Sequence, residues 1–419
     1  METPETFENP WPASEDIRIT SVRTIVTAPE GTALVVVRID TNVPGLYGLG
    51  CATFTQRWKA VVTFVEEHLA RLLIGRYPGD IGDLTRLAAF SGYWRGGPVT
   101  NNAISGIDQA LWDIAGKRAG LPVHELLGGK VRAAADTYLH AAGRTIDDTV
   151  EDAQRLIEAG WRHVRLQLST PGGGGYGAPS LPTEYPTAPY RNGWSGRDYL
   201  RRVPALFDAA RSSLPDNIEL LHDVHSRLSP KEAVWLARAL EPYRLFFLED
   251  VLPPEHWDRL PEVREASPVP IAVGELTTSF SDAARLVRGG GVDFIRSHVS
   301  DIGGLTPARK IADLAEICGV KTAWHGPGDT SPIGAAANVA LDVSSVAFGI
   351  QEGHVYNEAT HDVFPGTLRI TDGWLFPNEA PGWGIDIDEE KAARYRPELS
   401  GHDAWAAGVR RPDGALEAP

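Results

Sequence analysis

Asp223, Glu249, Glu275, Arg296, His325 and Glu352 close short apolar runs at successive intervals of 26, 26, 21, 29 and 27 residues. Each interval has room for one loop, one helix and the next strand. The runs IELLHDV, RLFFLED, PIAVGE, DFIRS and VKTAWH, preceded by AADTYLH and HVRLQL, alternate with helical stretches. Strands separated by single helices pair in parallel through right-handed crossovers, and seven or eight such units close most naturally into a barrel. The C-terminal ends of barrel strands converge on one mouth, so polar residues recurring there point to chemistry. A doubly wound sheet would spread them along a line.

The N-terminal part has a different rhythm. IRITSVRTIVTA and TALVVVRID read as strands around the turn signal PEG, and from Thr55 to Gly120 the apolar period becomes helical. The predicted organisation is an α+β capping domain over residues 1–132, a barrel over 133–365, and a C-terminal segment, 366–419, returning to the cap. From Arg165 to Asp223 the interval is 58, and it includes a Pro-, Gly- and Tyr-rich insertion. It reads as a lid or interface element, with a solvated loop as the alternative. The formal charge of −15 argues against nucleic-acid and anionic-membrane partners. Cys51 and Cys318 make no disulfide framework, and no basic leader or long apolar span is seen, so the cytoplasm is the expected compartment.

Asp223, Glu249 and Glu275 would face one another across the barrel mouth. Three close carboxylates repel one another unless a cation lies between them, and an all-oxygen set suits Mg²⁺. Singly, each acid reads equally as a helix cap or a surface ion pair. In LLHDVHSRLSP, strand alternation would put Asp223 and His225 on one face. His225 is thus either a packed histidine or a group held over a ligand.

The segments NNAISGIDQALWDIAGKRAGLPVHELLGGKV, DVHSRLSP, LFFLED, RSHVSDIGGLTPARKIADLAE, WHGPGDTSPIGAAAN and PGWGIDIDE resemble the enolase superfamily, within it the mannonate dehydratase subgroup, also called the D-galactonate dehydratase family. The resemblance spans nearly the whole chain. It implies an α/β fold, a (β/α)7β modified TIM barrel with an α+β capping domain, and Mg²⁺ as cofactor on Asp223, Glu249 and Glu275. It further implies His225 as general acid, with Arg165 and Tyr176 as the base that replaces the lysine pair of racemases, absent at Arg165-Leu166-Gln167. By the same resemblance Arg296, His325 and Glu352 line the substrate site, Asn42 and His140 make capping contacts, and Trp383 closes the site. Asp301 and Asp329 read as loop or helix-start residues.

The implied activity is dehydration of a D-mannonate- or D-gluconate-type sugar acid to a 2-keto-3-deoxy acid through an ene-diolate. The alternative is a sensing protein on the same fold that binds an acid sugar with little turnover. The expected partners are a small acid sugar and further copies of the chain. Two stretches depart from the family pattern, Cys51-Ala52-Thr53-Phe54 in the cap and HAAG at 140–143, and both are expected to tune substrate fit.

Overall fold

A computed structural model of the chain describes residues 16–169, 193–398 and 409–417. The N-terminal strands form an antiparallel meander, β1 (Ile19–Thr27), β2 (Leu34–Thr41) and β3 (Tyr47–Cys51). The helical stretch that follows includes α1 (Ile81–Ala89) and α2 (Pro98–Ala119). The second of these lies directly on the sheet. A Cβ at Gly48 would fall 1.9 Å from the Ala110 carbonyl oxygen, and one at Gly50 would fall 2.0 Å from that of Gly106. Only glycine permits this approach of helix to strand.

The barrel strands are β4 (Ala135–Gly143), β5 (His163–Leu168), β6 (Glu219–Asp223), β7 (Phe247–Glu249), β8 (Ile271–Val273), β9 (Phe294–Ile295), β10 (Lys321–Thr322) and β11 (Gln351–Glu352). Neighbours from β4 to β10 pair in parallel. A Thr322–Phe348 bridge and the pairing of β11 with β4 close the ring. Seven helices fill the crossovers: α3 (Ile146–Glu158), α4 (Gly196–Ser213), α5 (Pro230–Ala239), α6 (Leu260–Ala266), α7 (Phe280–Arg288), α8 (Leu305–Cys318) and α9 (Pro332–Ser344). This is the barrel expected from the spacing, in the (β/α)7β form that the resemblance implies. Tyr138, Leu221, Phe247, Ala272, Ala323 and Ile350 form one buried cluster, supplied by the strands or by residues bordering them. After β11 comes only a short helix, Glu358–Val363. A hairpin, β12 (Ile370–Thr371) and β13 (Trp374–Leu375), instead pairs with the start of β4.

Beyond the hairpin the chain returns to the cap. Ala28 N–H donates to Tyr395 O at 2.8 Å, Glu389 pairs with Arg23 and Arg38, and Tyr47 donates its hydroxyl to Asp386 at 2.6 Å. Trp383 donates its indole N–H to Leu49 O at 2.9 Å and to Gln109 O at 3.2 Å. Cap and barrel meet along α2. Asn101 donates to the backbone oxygens of Thr278 and Asp301, and Asn102 to the Asp301 carboxylate. The N-terminus of α8 has no side-chain cap of its own, because Gly304 stands there. Asp108 of α2 supplies it across the interface, accepting Thr306 N at 2.9 Å and Thr306 Oγ1 at 2.5 Å. A Cβ at Gly304, φ +108°, would come within 2.6 Å of that carboxylate.

Candidate active site

The barrel mouth opens into a cavity of about 650 Å³ lined by His140, Arg165, Asp223, His225, Asp250, Glu275, His325, Asp329 and Glu352, with Gln56 reaching in from the cap. Strand register explains much of this. Asp223 and Glu249 are partners on β6 and β7, and His140 and Arg165 on β4 and β5. His298 and His325 face each other across an isolated bridge.

Two guanidinium groups thread the carboxylates. Arg165 Nη1 lies 2.6 Å from Glu249 Oε1, 3.5 Å from Glu352 Oε1 and 3.9 Å from Asp223 Oδ2. Arg296 contacts Glu249 at 3.0 Å, Glu275 at 2.9 Å and Glu352 at 2.5 Å. His140 Nε2 adds a contact to Glu352 Oε1 at 2.8 Å. Four acids, Asp223, Glu249, Glu275 and Glu352, thus share two arginines, with Asp250 and Asp329 crowded beside them. The strain of this crowding shows in their protonation. Burial pushes Glu249 well above the usual carboxylate range against the pull of Arg165 and Arg296. Burial and then Glu275 raise Asp250 well above it. Asp329 is pushed up to about 7 by burial and by Glu275 and Glu352. For Glu352, burial also acts upward, but Arg296, His325, His140 and Arg165 outweigh it and hold the group well below its ordinary value. Burial lowers His225, with Asp223 and Glu275 opposing, and brings His325 down to about 3.

Asp223 Oδ2 and Glu249 Oε2 are buried and accept no hydrogen bond. A buried carboxylate oxygen without a donor is costly unless a cation completes it. One oxygen each of Glu249, Asp250 and Glu275 lie within 4.8 Å of one another. The donor chemistry therefore suits a hard divalent cation.

Several sequence expectations change here. The reading of Asp223 and His225 along one strand face is incorrect, because β6 ends at Asp223. His225 and Ser226 turn into the left-handed region at φ 56° and 60°. The turn is held by His225 N–H donating to Asp223 Oδ1 at 2.6 Å, and it still delivers the imidazole to the cavity. Asp250 was not expected in the site. It follows Glu249 and would alternate outward, but its φ of 38° and the bond from Gly274 N to its Oδ1 at 3.1 Å turn it in. The doubled acid in LFFLED was the available signal. Asp329 lines the cavity from its loop, while Asp301 clasps the cap.

Asn42 is not at the cavity. Exposed at the end of β2, it ties down the first strand, accepting from Arg18 N and donating to Asp16 O. Trp383 does not close the site either, since its ring is buried between α2 and the capping sheet. Arg296 is fully buried beneath the carboxylates as their counter-charge and does not line the cavity. Cys51 is buried, its N–H donating to Gln109 and its carbonyl accepting from Ser105, so Gln56 rather than the Cys51 side chain reaches the mouth. Tyr176 lies outside the described residues.

Two family models match the chain: "Mandelate racemase / muconate lactonizing enzyme, N-terminal domain" over residues 8–128, and "Enolase C-terminal domain-like" over 148–391. A D-galactonate dehydratase family member from Catenulispora acidiphila is 62% identical over 98% of this chain and 96% of its own. The family member RspA from Pantoea ananatis is 47% identical over 96% of this chain and 99% of its own. A crystal structure of an enolase from Pantoea ananatis, with bound D-gluconate and Mg, superposes with a TM-score of 0.91 at 46% identity, covering 96% of this chain and 100% of that one. The chain belongs to the enolase superfamily, in its D-galactonate dehydratase family.

Proposed function

We propose that this protein is a Mg²⁺-dependent dehydratase of a sugar acid of the D-gluconate or D-mannonate type, forming a 2-keto-3-deoxy acid. The observation that carries the reading is the excess of carboxylates at the barrel mouth, with the buried oxygens of Asp223 and Glu249 that accept no hydrogen bond among them. The D-gluconate and Mg bound by the Pantoea ananatis structure support it.

Asp223, Glu249 and Glu275 would hold the cation, with Asp250 beside them. When bound, Mg²⁺ supplies positive charge that offsets the negative charge developing on the substrate carboxylate. Tyr176, paired with Arg165 whose guanidinium lies on the cavity wall, takes the proton from C2. A guanidinium close by favours the phenolate a tyrosine base requires. The electron pair left at C2 expels the C3 hydroxyl, to which His225 supplies a proton, so that it leaves as water. The enol product then gains a proton at C3, loses the one on its C2 hydroxyl and becomes the ketone. Glu352, held ionised by Arg296, and His140 orient the polyol end.

Incubation with a panel of acid sugars and Mg²⁺, followed by a 2-keto-acid assay, tests the proposal. Turnover of D-gluconate or D-mannonate is expected. Saturable binding of these acids with no keto acid formed would favour a sensing role on the same fold.

A further inference from the structure

A second cavity of about 480 Å³ adjoins the first, sharing Ser226 and Pro253 with it. Its walls carry Trp194, Arg197, Arg227, Ser229, His256 and Arg411. The N-termini of two helices also meet there, since Ser195 caps α4, which is 18 residues long, and Ser229 caps α5. The partial positive charge of a helix N-terminus favours anions.

Arg227 gives this arrangement its meaning. It is only 9% exposed, and its Nε and Nη2 are buried without an acceptor among the described residues. Its guanidinium carbon lies 5.6 Å from the centre of the Trp194 ring. Two buried charged donors without acceptors are a costly arrangement that an oxyanion would relieve. The one carboxylate on the wall among the described residues, Glu232, is already engaged, accepting Ser229 N at 3.0 Å and Ser229 Oγ at 2.6 Å in the capping box of α5.

We infer that this cavity is a second site, for the oxyanion of a small metabolite, a phosphate or a carboxylate, clamped by Arg227 against Trp194 with Arg197 at the rim. Arg227 directly follows the left-handed turn of His225 and Ser226, so occupancy of the anion site bears on the placement of the imidazole in the catalytic cavity.

The test is calorimetric titration of the full-length protein, in Mg²⁺, with inorganic phosphate and separately with acetate. Each titration is done with and without saturating D-gluconate. One saturable site is expected that gluconate does not displace. The tighter of the two probes identifies the source, a phosphorylated metabolite or a carboxylate. Arg227→Gln should weaken binding about tenfold or more, as loss of a charge-assisted pair does, and Arg227→Lys should recover part of it. Arg197→Gln, an exposed change safe for folding, should weaken it severalfold. The inference is overturned by absence of saturable binding of either probe, by full displacement with gluconate, or by affinities unchanged in both the Arg227→Gln and Arg197→Gln proteins. If D-gluconate itself does not bind, the dehydratase proposal suffers, whereas the probe titrations and the variants still decide this one.

Discussion

Asp223 accepts the backbone N–H of His225 on one carboxylate oxygen, Oδ1, at 2.6 Å, and leaves the other, Oδ2, buried without a hydrogen bond. One side chain therefore has two duties, fixing the turn that presents the imidazole and offering a charge to a cation. The duties separate by mutation. Asp223→Asn retains an oxygen acceptor for the turn but loses the charge, and should weaken Mg²⁺ binding by about two orders of magnitude while leaving the His225 ring resonances in place. Asp223→Ala should also shift those resonances. Identical His225 spectra in the two variants would show that the turn does not depend on the bond.

The acid and the base come from different strands, which makes their steps separable. Tyr176→Phe should abolish both dehydration and exchange of the C2 proton with solvent deuterium. His225→Asn should block dehydration and leave exchange detectable by NMR in D₂O. Exchange that survives in the first variant and vanishes in the second would reverse the assignment.

Asp250 is expected to support the cation site. Asp250→Asn keeps an acceptor for Gly274 N–H and removes one charge from the oxygen trio, so Mg²⁺ affinity should fall about tenfold to a hundredfold, as for groups that tune metal ligands. An unchanged Mg²⁺ isotherm would restrict the site to Asp223, Glu249 and Glu275.

Glu249 Oε1 is shared by Arg165 and Arg296. Breaking a buried pair costs about 3–5 kcal/mol because the remaining charge stays buried. Glu249→Gln should therefore lower the melting temperature of the metal-free protein as well as its affinity for Mg²⁺. A variant that loses only metal affinity would mean the arginines find other partners.

Burial raises Asp108 to about 7, with the Thr306 bonds opposing. The folded state thus binds this proton more tightly than the unfolded chain, whose aspartate titrates near pH ~4. Stability contributed by the group is fully present below pH ~4 and is lost as pH rises through about 7. Asp108→Asn cannot ionise. Its stability relative to wild type should rise by roughly 2–4 kcal/mol between pH 4.5 and 7.5 in urea unfolding, and a constant difference would refute the shift.

The barrel was legible because its strands are short apolar runs recurring once per βα unit, and because a parallel barrel brings their polar C-terminal residues to one mouth. Glu275, His325 and Glu352 were found that way. What alternation hides is a chain that turns left-handed after a strand, and Asp250 entered the site by that route. Asn42 and Trp383 were misplaced for another reason. Their roles depend on backbone partners, such as Leu49 O for the Trp383 indole, that no local pattern announces. Arg296 was placed at the correct strand end, but inside the ring of acids, where its charge serves the protein rather than a ligand.

The return of the C-terminal segment to the capping sheet makes the barrel an insertion between two parts of one domain. During synthesis the meander and α2 emerge first, yet Trp383, Asp386, Glu389 and Tyr395, which pack and pair with them, emerge only after the last barrel strand. The barrel can close on its own chain while the cap still waits for the Trp383 indole at Leu49 O and for Glu389 beside Arg23 and Arg38. A released chain ending near residue 380 would thus hold a closed barrel beneath an unfinished cap.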